Sequence, residues 1–311
     1  MYSIWEGGAF TVKVISWSEL AGVCDQVGFP ESAMDCFEKY YAIIMQTHAD
    51  RMQAVAKEWL NIEGDWRSVI KELSLIAKET GVSLNGTRMV FFLYCAIPLR
   101  EEYAKLGHPE TLYLETLQDL RYKLKECNAL YGEWGTFVPD WYRRFYTCER
   151  FALGRLQYEP IEFPFEDYKG IVKKGDRVYS CHIPSSGALR EEDVLDSLKR
   201  AYSFYQAELK DGILPVVCHS WLLYQPLEEV FADSANIVKF RKMFDVVVND
   251  ADEKNGDFWR VFDKEYSTEN LNEAVADTKL QKRLKTYLLE GKTMGFGWGI
   301  LLFDGEKIIN I

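Results

Sequence analysis

The sequence predicts an α+β protein with two parts: a helical N-terminal domain, residues 1–138, followed by a mixed-sheet α/β C-terminal domain, residues 139–311. Three observations predict it. Before residue 138 the apolar residues recur every three or four positions, the repeat of helices with one buried face. The stretch 132–140, GEWGTFVPD, interrupts that repeat with two glycines and a proline. Beyond it, apolar runs of strand length alternate with amphipathic stretches of helix length, which implies crossovers and partly parallel pairing. A chain of 311 residues also exceeds what one compact core usually holds.

The first helical stripe runs through Met34, Phe37, Tyr41, Ile44, His48, Met52, Val55 and Trp59, and Pro30 stands ahead of it where a missing N–H costs nothing. His48 lies on that stripe without a second ligand one turn away, so it reads as a hydrogen-bonded core residue. Residues 65–80, ended by Gly81, and 85–105, ended by Gly107, form the next helices. A second clean stripe, Tyr113, Leu117, Leu120, Leu124, Cys127 and Tyr131, follows Pro109 and closes at Gly132. In the second half, 151–163 (FALGRLQYEPIEF) and 177–184 (RVYSCHIP) read as strands. Residues 191–209 read as an amphipathic helix with Val194, Leu195, Leu198, Tyr202, Tyr205 and Leu209 on one side. There follow a strand at 213–221 (ILPVVCHSW), a short helix at 226–232 and strands at 236–240 and 244–248. A helix at 271–289 and a final strand at 294–303 complete the chain.

Composition narrows the function classes. The formal net charge is −11. There are 13 basic against 19 acidic residues in 1–138, and 24 against 29 in 139–311, so the acidity is even and neither half is basic. Nucleic acid and anionic membrane surfaces are therefore not expected partners. No apolar run approaches the ~18 residues of a membrane span, and residues 1–18 mix Glu6 and Lys13 into their apolar residues, unlike a secretion signal. The seven cysteines are scattered, without a C-x-x-C pair. That pattern fits reduced thiols in the cytoplasm, with neither a disulfide framework nor structural zinc.

Two segments carry candidate chemistry. The first is the strand–loop–helix 178–191, whose loop holds Pro184, Ser185, Ser186, Gly187 and Ala188. Small residues before a helix N-terminus let backbone N–H groups approach an anion such as a pyrophosphate, and equally serve as an ordinary cap. Glu191, Glu192 and Asp193 in the first turn favour the cap. The second is a pair of dipeptides, Cys181-His182 and Cys218-His219, each closing a strand and preceding a helix. On parallel neighbouring strands both would lie at the carboxyl edge of the sheet, where open α/β sheets bind ligands. Alternation would put the cysteines on one face and the histidines on the other. His219 with Ser220, or His182, then supplies a proton acceptor, while each imidazole alone reads equally well as a strand-end cap. The spacing offers no third ligand for a metal. The glycines at 295, 297 and 299 lie inside a strand, on one face, and signal close approach of another element rather than a dinucleotide fingerprint.

The runs FALGRLQYE (151–159), CHIP (181–184), VCHSWLL (217–223) and NIVKF (236–240) resemble those of bacterial acyltransferase-domain proteins, in order and spacing. Those proteins join a helical N-acyltransferase N-terminal domain to a GNAT-like C-terminal domain. The likeness is dense over 139–250 and general in character before it. It implies that RVYSCHIP splays from ILPVVCHSW to admit the pantetheine arm of an acyl-coenzyme A, with acetyl-CoA the simplest such co-substrate. It also implies that Ser185, Ser186, Gly187 and Ala188 cradle the pyrophosphate at the helix from Glu191. The usual signature of that loop, Gln/Arg-x-x-Gly-x-Gly/Ala, is reduced here to Gly187-Ala188. The resulting expectation is a cytoplasmic acyl-CoA-dependent N-acyltransferase acting on a small-molecule amine. In it His219, His182 or Ser220 accepts the amine's proton, directly or through water, and strand N–H groups polarise the carbonyl. The competing expectation is a non-catalytic GNAT-like module that binds a small ligand or protein partner between its domains.

Overall fold

The computed structural model describes residues 14–231, 236–252, 256–267 and 269–310. Residues 1–13, on which most of the reading of the chain's start depends, lie outside them, as does the last residue of the short helix expected at 226–232. The chain forms two compact units, divided between Phe151 and Ala152.

The first unit is built from helices α1 (Trp17–Val27), α2 (Glu31–Leu60), α3 (Trp66–Thr80), α4 (Leu84–Lys105) and α5 (Glu110–Tyr131). Their starts and stops follow local chemistry. Asp65 and Ser83 cap the starts of α3 and α4 by accepting from Ser68 N and Gly86 N, and Gly28, Gly81 and Gly132 end α1, α3 and α5 in the left-handed region. The run MVFFLYCA in α4 is apolar on every side, and residues 89–96 are all fully buried. A helix apolar all round belongs at the centre of a bundle, and α1, α2, α3 and α5 each pack against α4. The long helix α2 departs from helical backbone angles at His48, whose ring hydrogen-bonds Thr47 and, at 2.9 Å, Glu79 of α3. Among the described residues no single helix is long and apolar enough to cross a membrane.

The composition changes at 132–140, but the division of the chain falls later, within the first strand. Residues 139–146 explain the difference. They fold as a 3₁₀ turn, Pro139–Tyr142, and the short helix α6 (Arg143–Tyr146), and they stay with the helices. Tyr142 and Tyr146 pack on Phe92 at 4.4 and 5.7 Å, and the Tyr146 hydroxyl donates to Phe92 O. Arg143 donates to the carbonyls of Trp59, in the last turn of α2, and of Asn61 and Ile62 just beyond it.

The second unit holds β1 (Phe151–Leu153), β2 (Leu156–Glu162), β3 (Asp167–Tyr168), β4 (Val172–Lys173), β5 (Arg177–His182), α7 (Glu191–Tyr205) and β6 (Leu214–Ser220). It continues with α8 (Asn236–Arg241), β7 (Asp245–Asp252), α9 (Trp259–Phe262), α10 (Lys279–Leu289) and β8 (Met294–Phe303). The main sheet has the order β1-β2-β5-β6-β8-β7. In it β5 and β6 pair in parallel, while β2–β5, β6–β8 and β7–β8 are antiparallel. The crossover α7 joins the parallel pair and covers one face: Tyr205 stacks on Tyr179 at 4.1 Å, and Ser197 meets the Tyr158 hydroxyl at 3.1 Å. The hairpin β3–β4 helps fill the other face, where Phe163, Tyr168 and Val172 cluster with Val178, Val217, Ile300 and Leu302.

Elements that differ from their sequence reading include the short helix expected at 226–232, which is a 3₁₀ turn over Gln225–Glu229. The expected strand 151–163 is two strands joined through Gly154 and Arg155, with Gly154 at φ 82° supplying the turn. The segment NIVKF, expected as a strand, is the start of helix α8, and Phe240 buries against Phe244. Six residues are too few to separate the two periods. The expected helix 271–289 begins as a 3₁₀ turn, Leu271–Glu273, and becomes α10 only where Thr278 and Gln281 form a capping box. The glycine stripe of β8 has the predicted cause. A Cβ on Gly297 would stand 2.3 Å from Leu223 O, and one on Gly299 2.7 Å from the Leu223 side chain, because the 3₁₀ turn Trp221–Leu223 lies directly on the strand.

Candidate active site

The site forms where the parallel strands part. The ladder between β5 and β6 consists of Tyr179↔Val216 and Ser180↔Val217, and both strands continue beyond it. On their outer edges the neighbours stay paired, Gln157 with His182 on one side and Ser220 with Gly297 on the other. The two Cys-His dipeptides therefore stand side by side at the carboxyl edge, on adjacent parallel strands, just past the last ladder pair. Alternation separates them as expected. Cys181 and Cys218 are buried on the face carrying Tyr158 and Tyr179. Their mutual hydrogen bond, reinforced by burial, pushes the Cys181 thiol well above its ordinary pKa. They are core thiols rather than nucleophiles.

The histidines occupy the opposite face, in different surroundings. His182 is half-buried, and its Nε2 lies 3.0 Å from Glu159 Oε1. Glu159 sits on β2 opposite Ser180, a diagonal neighbour of His182 across the ladder, and is only 6% exposed. His219 instead stacks on Trp298, with ring centroids 4.5 Å apart and planes 19° apart, and lies 5.1 Å from Phe296. Shielding of that ring lowers the His219 pKa, against the opposing fields of Asp250 and Asp257. The outer edge of His219 remains exposed. Ser220 is committed elsewhere: its hydroxyl accepts Leu222 N at 3.2 Å and starts the turn that covers the β8 glycines. That local capping gives Ser220 a structural task in addition to its place beside His219.

The loop 184–189 follows β5 at the same edge. Ser185, Ser186, Gly187 and Ala188 are all exposed, and Gly187 has φ 113° with nothing within 4 Å of an added Cβ. The glycine thus serves the turn's backbone conformation. The loop is held from behind by Arg155 of the β1–β2 turn. Its Nε donates to Ala188 O at 3.1 Å, Nη1 to Pro184 O at 3.1 Å and Nη2 to Gly187 O at 2.6 Å. With carbonyls drawn toward the guanidinium, the loop has an arginine in space that its own sequence lacks. The first-turn carboxylates of α7 are partly neutralised, Glu191 by Lys239 at 3.1 Å and Asp193 by Arg190 at 3.0 Å.

Glu159, Arg155 and Trp298 are the site residues that sequence reasoning passes over. Glu159 had a visible signal: it is one carboxylate within the otherwise buried run LQYE of β2. Arg155 carried none, because its partners lie about thirty residues away in sequence.

Residues 18–148 match the N-acyltransferase N-terminal domain, and residues 151–301 match the GNAT-like C-terminal domain. No protein of curated function matches the chain. Solved structures of acyltransferases share its fold. One, in complex with decanoyl-CoA and teicoplanin, has a TM-score of 0.73 at 19% identity, covering 94% of this chain and 90% of the other. A mutant acyltransferase with octanoyl-CoA gives 0.73 at 21% identity, over 94% and 90%. An acyltransferase with decanoyl-CoA gives 0.70 at 23% identity, over 93% and 88%.

Proposed function

The chain belongs to the proteins that join an N-acyltransferase N-terminal domain to a GNAT-like C-terminal domain, and we propose that it transfers an acyl group from coenzyme A to the amine of a small molecule in the cytoplasm. The observation that carries this reading is the short parallel ladder, which ends at Ser180 and Val217 and leaves both strand ends open beside His182. Backbone N–H groups of the parting strands orient and polarise a thioester carbonyl lying there. His182 takes a proton from the protonated amine, the freed nitrogen bonds to that carbonyl carbon, and the second proton it sheds goes to the departing thiolate. The exposed loop 185–188 and the N-terminus of α7 hold the pyrophosphate, with Arg155 behind the loop. His219 and Trp298 form an aromatic wall next to His182. The acyl-CoA complexes of the similar acyltransferases support the choice of donor, and the unpaired state of all seven cysteines supports a reducing compartment.

Thermal unfolding with acetyl-, octanoyl- and decanoyl-CoA in separate titrations tests the donor. A ligand at 100 times its dissociation constant adds about 2.7 kcal/mol of stability. At least one of the three is expected to raise the melting temperature, and the ranking reads the acyl chain. No shift with any of them at millimolar concentration would make the chain a binding module of another kind.

The loop assignment has its own test. Arg155→Lys can hold one carbonyl where arginine holds three, and is expected to weaken acyl-CoA binding by about tenfold, near the low end of the net worth of the two hydrogen bonds lost. An acyl-pantetheine donor, which lacks the pyrophosphate, should feel no difference. Equal losses for both donors would remove the loop from coenzyme binding.

A further inference from the structure

Glu159 is a buried carboxyl group that the acyl transfer leaves unused. It stands on β2 in the middle of the sheet, and a carboxylate there costs several kcal/mol unless donors satisfy it. One donor is His182, whose Nε2 lies 3.0 Å from Glu159 Oε1. In its ionised form Glu159 can only accept, and the nitrogen facing it then carries the hydrogen. In a neutral imidazole the lone pair then resides on Nδ1.

We infer that Glu159 is a positioning residue: it holds His182 as the Nε2–H tautomer and makes Nδ1 the nitrogen that receives the amine's proton. Two features of the sheet strengthen the assignment. Glu159 and His182 belong to strands paired over six consecutive positions, Gln157↔His182 to Glu162↔Arg177, so the carboxylate and the ring are set by the same rigid ladder. Both side chains lie on the same face, at diagonal positions from which long side chains reach each other. When Nδ1 takes a proton, the ring becomes cationic beside a buried anion, and that pair is stabilised most at the moment charge develops. Among the described residues His219 has no such carboxylate hydrogen bond; its ring is paired with Trp298 instead.

The inference rests on the acyl-transfer reading, and the test separates the two. Nitrogen-15 spectra of the imidazoles, assigned through His182→Gln, are recorded for the wild type, Glu159→Gln and Glu159→Leu without any donor present. The wild type is expected to show His182 protonated on Nε2. Glu159→Gln, whose amide oxygen still accepts, should keep that tautomer, and Glu159→Leu should lose it. In the transfer assay Glu159→Gln is expected to lower kcat about tenfold with KM unchanged, and Glu159→Leu to lower it further. A wild-type His182 carrying its hydrogen on Nδ1 overturns the inference whatever the assay gives. So does an unchanged kcat in both variants. Failure of the wild type to bind or use any acyl-CoA overturns the reaction instead, and the tautomer spectra then decide the contact alone.

Discussion

Gly297→Ala is expected to destabilise the second unit by about 3 kcal/mol or more, although it adds a single methyl group. The new Cβ would stand 2.3 Å from Leu223 O and 2.5 Å from Leu223 C, both backbone atoms that no rotamer change can move. Relief requires the turn Trp221–Leu223 to lift off β8. That turn begins at Ser220, the last residue of the strand carrying His219, so lifting it also disturbs the splayed edge. For a unit of this size each kcal/mol corresponds to roughly 2–4 °C, so the melting temperature should fall by about 6–12 °C. Gly22→Ala provides the contrast. Gly22 is exposed in the middle of α1 with nothing within 4 Å of an added Cβ, and alanine there should stabilise by about 0.5–1 kcal/mol. Calorimetry on both variants measures the two signs. A Gly297→Ala protein melting with the wild type would mean that the turn does not hold its place on the strand.

What the sequence revealed of this architecture depended on the length over which a pattern repeats. The helices α2 to α5 run for fifteen residues or more, so periodicity and capping residues located them to within a residue or so. Helix α8 has six residues, and Asn-Ile-Val-Lys-Phe satisfies the strand period as well as the helical one. The edge at 132–140 was legible as a change of composition. Its attachment was not: Tyr142, Arg143 and Tyr146 join the helices through Phe92 and the carbonyls ending α2, and no local pattern records such partners. The site divides the same way. Both histidines were visible because strand ends and alternation are local facts. Their difference was not, since it comes from Glu159 on β2 and Trp298 on β8, neighbours supplied by sheet order rather than by sequence. Ser220 caps the very next turn, a contact that its place at a strand end does not by itself reveal.

That difference between the histidines sets the largest functional effect. His182→Ala is expected to lower kcat/KM for acyl transfer by about 10²-fold or more, the range over which a positioned proton acceptor contributes. His219→Ala should lower it less than about tenfold, and chiefly through KM. The reason is the environment of each ring. His182 touches a buried carboxylate that fixes its ring at the splayed edge. His219 differs: shielding lowers its pKa, and its flat contact with Trp298 suits a surface against which a substrate lies. Removing His219 should loosen that wall, whereas removing His182 should leave the ternary complex formed but the amine protonated. Binding of acyl-CoA, followed by thermal shift in each variant, separates the two outcomes from simple misfolding, because an intact His182→Ala protein must still be stabilised by the donor. Raising the assay pH to deprotonate the amine in solution should recover part of the His182→Ala rate and little of the His219→Ala loss. If the order is reversed, with His219→Ala the slower enzyme at saturating donor and acceptor, the proton acceptor is His219 and the Glu159–His182 pair serves only to fasten two strands.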